Sequence, residues 1–244
     1  MWYNSSDMEP RERLIVPLDV PTLAEAEALV SRLAPQVGLF KVGLQLFHSE
    51  GAPVFEMVHR LSGPAFYDSK FFDIPNTVAG AAAAVSRLGI KMFNVHALGG
   101  KAMMAAAKEA AACTADALGL PRPLVLGVTI VTSMDETTLL EECGIGRPLD
   151  DEVVHLARMA QEAGLDGVVA SVLETPAIKQ ECGKEFLVVC PGIRPPGSSP
   201  NDQERTGTPR LAREAGADYI VVGRPITKAE DPVKAAQRIV QELY

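Results

Sequence analysis

Eight short, nearly continuous apolar runs, separated by longer segments rich in Ala, Leu and Glu, constrain this chain more than any other feature. The runs cover residues 14–18, 39–42, 65–67, 91–95, 124–130, 167–170, 187–190 and 219–222. Most do not alternate apolar with polar. A strand with one wet face alternates, whereas a strand buried on both faces does not. The runs therefore read as strands of a parallel sheet covered by helices.

The segments between them read as those helices. Residues 23–33 follow Thr22, a predicted N-cap, with Glu25 completing a capping box. Segments 77–88, 100–118, 151–163 and 209–215 each run into a glycine: Gly89, Gly119, Gly164 and Gly216. Residues 231–243 form the last helix. Ala-Gly-Leu-Asp at 163–166 and Ala-Gly-Ala-Asp at 215–218 both read as a helix stop followed by a strand start.

Strands alternating with helices predict an α/β fold, a (β/α)8 TIM barrel in one domain over residues 13–244. The 244 residues suit such a barrel, which typically needs about 250. A doubly wound open sheet is the alternative. It would carry a G-x-G-x-x-G turn after an early strand, and none occurs. Residues 1–12 are polar, lack the apolar stretch of a signal peptide, and read as a frayed N-terminal extension. The segment 191–209 is long and rich in Pro, Gly and Ser, which suits a functional loop or lid, or a plain surface loop.

Composition removes several classes of function. With 23 basic and 31 acidic residues the net charge is −8. An acidic chain is poorly suited to non-specific nucleic acid or anionic membrane surfaces. A small anionic ligand is still possible, because a few placed cations and N–H groups suffice. No apolar run approaches the roughly 18 residues of a membrane span. Cys113, Cys143, Cys182 and Cys190 form no C-x-x-C pair, and there are only four His. They read as free thiols in a reduced, cytoplasmic setting, with no metal site.

Barrel sites lie where strands end. Asp19 follows the first run, Lys41 interrupts the second, and Asp68, Lys70 and Asp73 follow the third. His96 ends the fourth, Thr132 and Ser133 follow the fifth, Arg194 the seventh and Arg224 the eighth. Buried charges cost several kcal/mol unless paired, so this clustering marks a site. On an extended strand Asp68 and Lys70 share a face. With Lys41 and Asp73 they would alternate as Lys–Asp–Lys–Asp, a network that keeps each lysine protonated. A purely structural ion-pair network fits the same spacing equally well. Gly223-Arg224-Pro225 suits phosphate, since strand-eight loops of barrels often bind it through N–H groups. His96 reads as structural, and Gly99-Gly100-Lys101 lacks the spacing of a phosphate-binding P-loop.

Asp68-x-Lys70-x-x-Asp73-Ile74-Pro75-Asn76-Thr77 resembles the signature of the orotidine 5′-monophosphate decarboxylases of bacterial type. Asn94-Val95-His96-Ala97, the segment 128–133, Asp166-Gly167-Val168-Val169, Pro191-Gly192-Ile193-Arg194, Asp202-Gln203 and 222–226 match in the same order. The resemblance runs from about Arg13 to the C-terminus. It implies a cytoplasmic homodimeric barrel lyase needing no metal or cofactor. That enzyme converts orotidine 5′-monophosphate to uridine monophosphate (UMP) and CO2, the last step of pyrimidine nucleotide synthesis. Lys70 would protonate C6, with Asp68 beside the substrate carboxylate. Lys41 and Asp19 would hold the ribose hydroxyls and the charge network. Asp73 and Thr77 would enter the partner's site. Thr132 or Ser133 would face the pyrimidine. Arg194, Gln203, Gly223 and Arg224 would take the phosphate, Gln203 also lying near the base. Ser69 and Phe72 depart from the Leu and His of many bacterial relatives, and Ser69 is expected to face away from the site. A metal-dependent sugar-phosphate lyase or decarboxylase on the same barrel shares the Asp-x-Lys-x-x-Asp core and is the rival reading. A nucleotide-binding pseudoenzyme is a third, but it would be expected to lose one of these charges.

Overall fold

The computed structural model describes residues 8–196 and 205–244. Eight parallel strands pair in chain order and the eighth pairs with the first, closing a barrel. They are β1 (Leu14–Pro17), β2 (Leu39–Val42), β3 (Phe66–Phe71), β4 (Met92–His96), β5 (Leu124–Val128), β6 (Gly167–Val169), β7 (Leu187–Cys190) and β8 (Tyr219–Val221). Around them lie α1 (Leu23–Leu33), α2 (Leu44–Glu50), α3 (Pro53–Leu61), α4 (Pro75–Ser86), α5 (Gly100–Leu118), α6 (Leu149–Glu162), α7 (Thr175–Cys182), α8 (Pro209–Ala215), α9 (Arg224–Thr227) and α10 (Pro232–Gln241). Among the described residues no helix is long and apolar enough to cross a membrane.

The pleat explains why the strand sequences are continuous in hydrophobicity. Successive side chains point to opposite faces. Ile15, Leu39, Phe66, Met92, Leu126, Val189 and Tyr219 form one buried cluster, the filling of the barrel. Leu14, Val16, Phe40, Val42, Tyr67 and Phe93 belong to a second cluster, the layer between strands and helices. Each such side chain contributes about 1.5–3 kcal/mol by leaving water. Two residues further along, the inward rows reach the barrel mouth: Leu39 leads to Lys41, Phe66 to Asp68, Met92 to Asn94. The same alternation that fills the core thus delivers polar groups to one end.

Several elements differ from their sequence reading. Helices α2, α3 and α7 lie outside the segments delimited from sequence; α2 opens at Gly43 without a side-chain cap and α7 is only eight residues long. Helix α4 begins at Pro75, two residues before the expected start, because proline's fixed φ suits a first helical position. This puts Thr77 in its first turn. Of the stretch 1–12 read as an extension, the structure describes residues 8–12. Met8 is buried with the barrel filling, and Pro10–Arg13 form a tight turn. The apolar Met8 side chain gains more by closing the barrel floor than it would in water.

The two Ala-Gly-x-Asp phrases share a structural role. Gly164 and Gly216 take positive φ just past helices α6 and α8, as a residue without Cβ can. The aspartate that follows each one ties the barrel floor together. Asp166 accepts from the Val125 N–H at 2.6 Å and from Lys108 at 2.5 Å. Asp218 accepts from the Val188 N–H at 2.7 Å and from Lys179 at 2.7 Å. Lys179 also donates to the carbonyls of Lys184 and Phe186, both at 2.9 Å. Asp218→Ala leaves the half-buried Lys179 without its counter-charge, so a loss of about 3 kcal/mol is expected in urea unfolding. An unchanged midpoint would contradict the staple.

Candidate active site

Asp68 is the centre of the barrel mouth. Its Oδ2 accepts from Lys41 Nζ at 2.8 Å, and its Oδ1 from Lys70 Nζ at 2.5 Å and Asn94 Nδ2 at 2.8 Å. Asp19, at the rim after β1, lies 3.6 Å from Lys41. Burial works against the Lys41 ammonium, but Asp68 and then Asp19 outweigh it and hold its pKa above the usual value. Burial likewise opposes the Asp68 carboxylate, yet Lys41, Lys70 and the Asn94 hydrogen bond hold it well below the usual carboxylate range. Both groups therefore stay charged at neutral pH.

The backbone that achieves this is not the plain extended strand expected from spacing. Tyr67 pairs with Phe93, but the next pair is Phe71 with Val95. Four steps on β3 against two on β4 make a bulge. Within it Lys70 has φ 49°, a left-handed conformation that costs a residue with a Cβ roughly 1–2 kcal/mol. The bulge brings the Lys70 ammonium onto Asp68 and turns Ser69 away from the mouth, as expected. Ser69 is buried and its hydroxyl donates to the Asn94 carbonyl at 2.7 Å.

A cavity of about 290 Å³ opens over this network. Asp19, Lys41, Asp68 and Lys70 line one side, while Arg194, Gly223 and Arg224 line the ends of β7 and β8. Thr132 and Ser133, with Val128 and Ile130, form the wall beyond β5. Four cations face two carboxylates here, in a chain of net charge −8. The mouth is thus a local anion site with a charged floor at β2 and β3, cations at β7 and β8, and an apolar wall between.

Two expected residues do not join it within this chain. Asp73 and Thr77 lie on the exposed stretch 72–77, outside the cavity. The Asp73 carboxylate accepts from the Ile74 N–H at 2.6 Å. The Lys–Asp–Lys–Asp chain expected from sequence therefore has its first three members in place, with Asp19 rather than Asp73 beside them in this chain. Gln203, with Asp202, lies outside the described residues. His96 stands beside Phe72, with ring centroids 5.8 Å apart. Burial and then Lys70 lower its pKa, which leaves it neutral at pH 7 and fits its structural reading.

Two supports were given no role from the sequence. Asn94 is one, fully buried in an apolar strand. The other is a buried pair: Arg205 meets Glu174 at 2.8 Å and donates to the carbonyls of Ile130 at 2.9 Å and Val131 at 3.0 Å. Glu174 also accepts from the Ser171 N–H at 2.9 Å. The pair ties the segments after β5 and β6 together and braces the Thr132 wall. Its only sequence signal was a polar pair 31 residues apart, which no local period reveals. Glu174→Ala strands a buried guanidinium, so a loss of about 3–5 kcal/mol is expected in urea unfolding. An unchanged midpoint would show that the brace carries no weight.

The profile of the orotidine 5′-phosphate decarboxylase / HUMPS family matches residues 12–239. The chain is 52% identical over 236 residues to the orotidine 5′-phosphate decarboxylase of Moorella thermoacetica, covering 97% of this chain and 94% of that protein. It is 53% identical over 236 residues to that of Syntrophotalea carbinolica, covering 97% and 96%. The crystal structure of orotidine 5′-phosphate decarboxylase from Lactobacillus acidophilus superposes with TM-score 0.84 at 38% identity, over 94% of this chain and 98% of that one. With a matching profile over nearly its whole length and relatives at about half identity, the chain belongs to the orotidine 5′-phosphate decarboxylase / HUMPS family.

Proposed function

We propose that this chain decarboxylates orotidine 5′-monophosphate to UMP and CO2, with Lys70 supplying the proton at C6 and no metal or organic cofactor taking part. The observation that carries the reading is the ammonium of Lys70 held on Asp68 at 2.5 Å, across the mouth from Arg194 and Arg224. The relatives at about half identity bear the name of this activity.

The bond from C6 to the carboxylate breaks and its electron pair stays on C6, which the ring delocalises poorly. A fixed ammonium beside C6 stabilises that charge as it develops and then donates its proton to it. Asp68 stands beside the departing carboxylate and fixes Lys70. Lys41 and Asp19 hold the ribose hydroxyls, and Thr132 or Ser133 faces the pyrimidine. Arg194, Gly223, Arg224 and, beyond the described residues, Gln203 take the phosphate. Binding energy gained there serves a reaction at the far end of the ligand. In a sugar-phosphate lyase, a divalent ion would need carboxylate oxygens. Here both oxygens of Asp68 already accept from Lys41, Lys70 and Asn94, which favours the cofactor-free chemistry.

Purified protein in EDTA is expected to convert orotidine 5′-monophosphate to UMP, followed by absorbance, and Lys70→Ala to lose about 10⁴-fold in kcat or more. No conversion by folded protein, or conversion that needs added magnesium, would sink the reading.

The working unit is a homodimer in the cytoplasm, with Asp73 and Thr77 completing the partner's site. Phe72 and Ile74, 62% and 65% exposed, flank Asp73, and Leu98 is exposed as well. Such apolar groups beside a charged mouth suit a subunit contact. Mixing inactive Lys70→Ala and Asp73→Ala proteins after subunit exchange is expected to restore about a quarter of wild-type activity, because each mixed dimer regains one intact site. No recovery from exchanged subunits would place Asp73 in its own chain's site or in none.

A further inference from the structure

Lys70 is the sole non-glycine residue at positive φ among the described residues. It is also the residue on which the proposed chemistry turns. A strained backbone persists only when its surroundings over-determine it. Here the surroundings are one residue of the next strand. The Lys70 N–H donates to Asn94 Oδ1 at 2.7 Å, Asn94 Nδ2 donates to Asp68 Oδ1 at 2.8 Å, and the Asn94 carbonyl accepts from the Ser69 hydroxyl at 2.7 Å. The orientation of the amide is dictated by its partners: a backbone N–H only donates, and an ionised carboxylate only accepts. Asn94 is fully buried and does not line the cavity.

We infer that Asn94 is a positioning residue for the reaction: its side-chain amide holds the bulge that aims the Lys70 ammonium and turns Asp68 so that each oxygen faces one lysine. The inference rests on the assignment of Lys70 to proton transfer. Few other side chains could do this. An apolar residue leaves the Lys70 N–H unbonded. Aspartate can accept from that N–H but has no donor for Asp68. Serine and threonine lack the second arm. The remaining titratable groups near Asp68 are Lys41 on β2, Tyr67 and Lys70 on β3 and His96 on β4, with Asp19 beyond Lys41.

Asn94→Ala, Asn94→Asp and Lys70→Ala are compared with wild type by kcat, KM, pH profile and titration of active sites with UMP. Asn94→Ala is expected to lose roughly 10²-fold in kcat, the scale of a small misplacement of a reacting group. KM and UMP affinity should stay within about threefold, because the phosphate is held at β7 and β8 rather than at β3. Asn94→Asp, nearly isosteric, sets a second carboxylate against Asp68 and raises the pH at which one of them takes a proton. Its kcat should therefore fall on the acid side at a higher pH than in wild type. A merely structural role would reduce the number of titratable sites and leave kcat per site and the pH profile unchanged, and either result overturns the inference. A rise in KM that matches the fall in kcat overturns it too, since it marks a collapsed cavity. If Lys70→Ala keeps wild-type kcat, the Lys70 assignment itself fails. If Lys70→Ala is inactive and the Asn94 variants match wild type, the positioning inference alone fails.

Discussion

One carboxylate shared by two ammonium groups organises the mouth of this barrel. Asp68 lies 2.8 Å from Lys41 and 2.5 Å from Lys70, and without it two cations would face each other in a largely buried site. Taking these charges out of water costs several kcal/mol each, and the cost is offset only if each remaining lone pair and proton finds a partner. The neighbours meet that demand. Asn94 fills the remaining approach to Oδ1, and Asp19 adds a second negative group beside Lys41 at 3.6 Å. The strand rows place three of them: the inward positions that carry Leu39, Phe66 and Met92 in the filling carry Lys41, Asp68 and Asn94 two residues later. The core and the site are therefore one construction, and the packing below fixes the geometry above.

In the proposed reaction the mouth also separates gripping from chemistry. The charge network belongs to β2, β3 and β4, and the cations Arg194 and Arg224 follow β7 and β8 across the barrel. A ligand with an anionic group at one end and a reacting carbon at the other spans the two. Interactions at the remote end can be used to orient and desolvate the reacting end. The apolar wall of Val128 and Ile130 lies between, where it lowers the local dielectric around the charge network. The Arg205–Glu174 pair braces that wall from behind.

Much of this was legible in the sequence, for identifiable reasons. Parallel strands buried on both faces announce themselves as continuous apolar runs, so β2 and β7 were bounded correctly at both ends. Helices closed by glycine, α5 and α8, were bounded as well. Strand-end charges named Asp19, Lys41, Asp68, Lys70, Arg194 and Arg224 because polar groups stand out against an apolar row. Helices α2 and α7 lacked a side-chain cap and ran only seven and eight residues, too short to show a period. The bulge at Lys70 could not be read, since nothing in Ser69-Lys70-Phe71 marks a left-handed residue. The roles of Asn94 and Glu174 escaped because they depend on partners 24 and 31 residues away. Asp73 was named by its place after the third run and Thr77 only through resemblance, and within one chain both are exposed outside the cavity.

The most direct test of the division between grip and chemistry is a crystal structure of the protein with UMP bound. Lys70 Nζ is expected within about 3–3.5 Å of C6, the separation of a near-attack arrangement, with the phosphate between Arg194, Gly223 and Arg224. A phosphate seated on Lys41 and Lys70, or a C6 turned away from Lys70 toward the apolar wall, would contradict it.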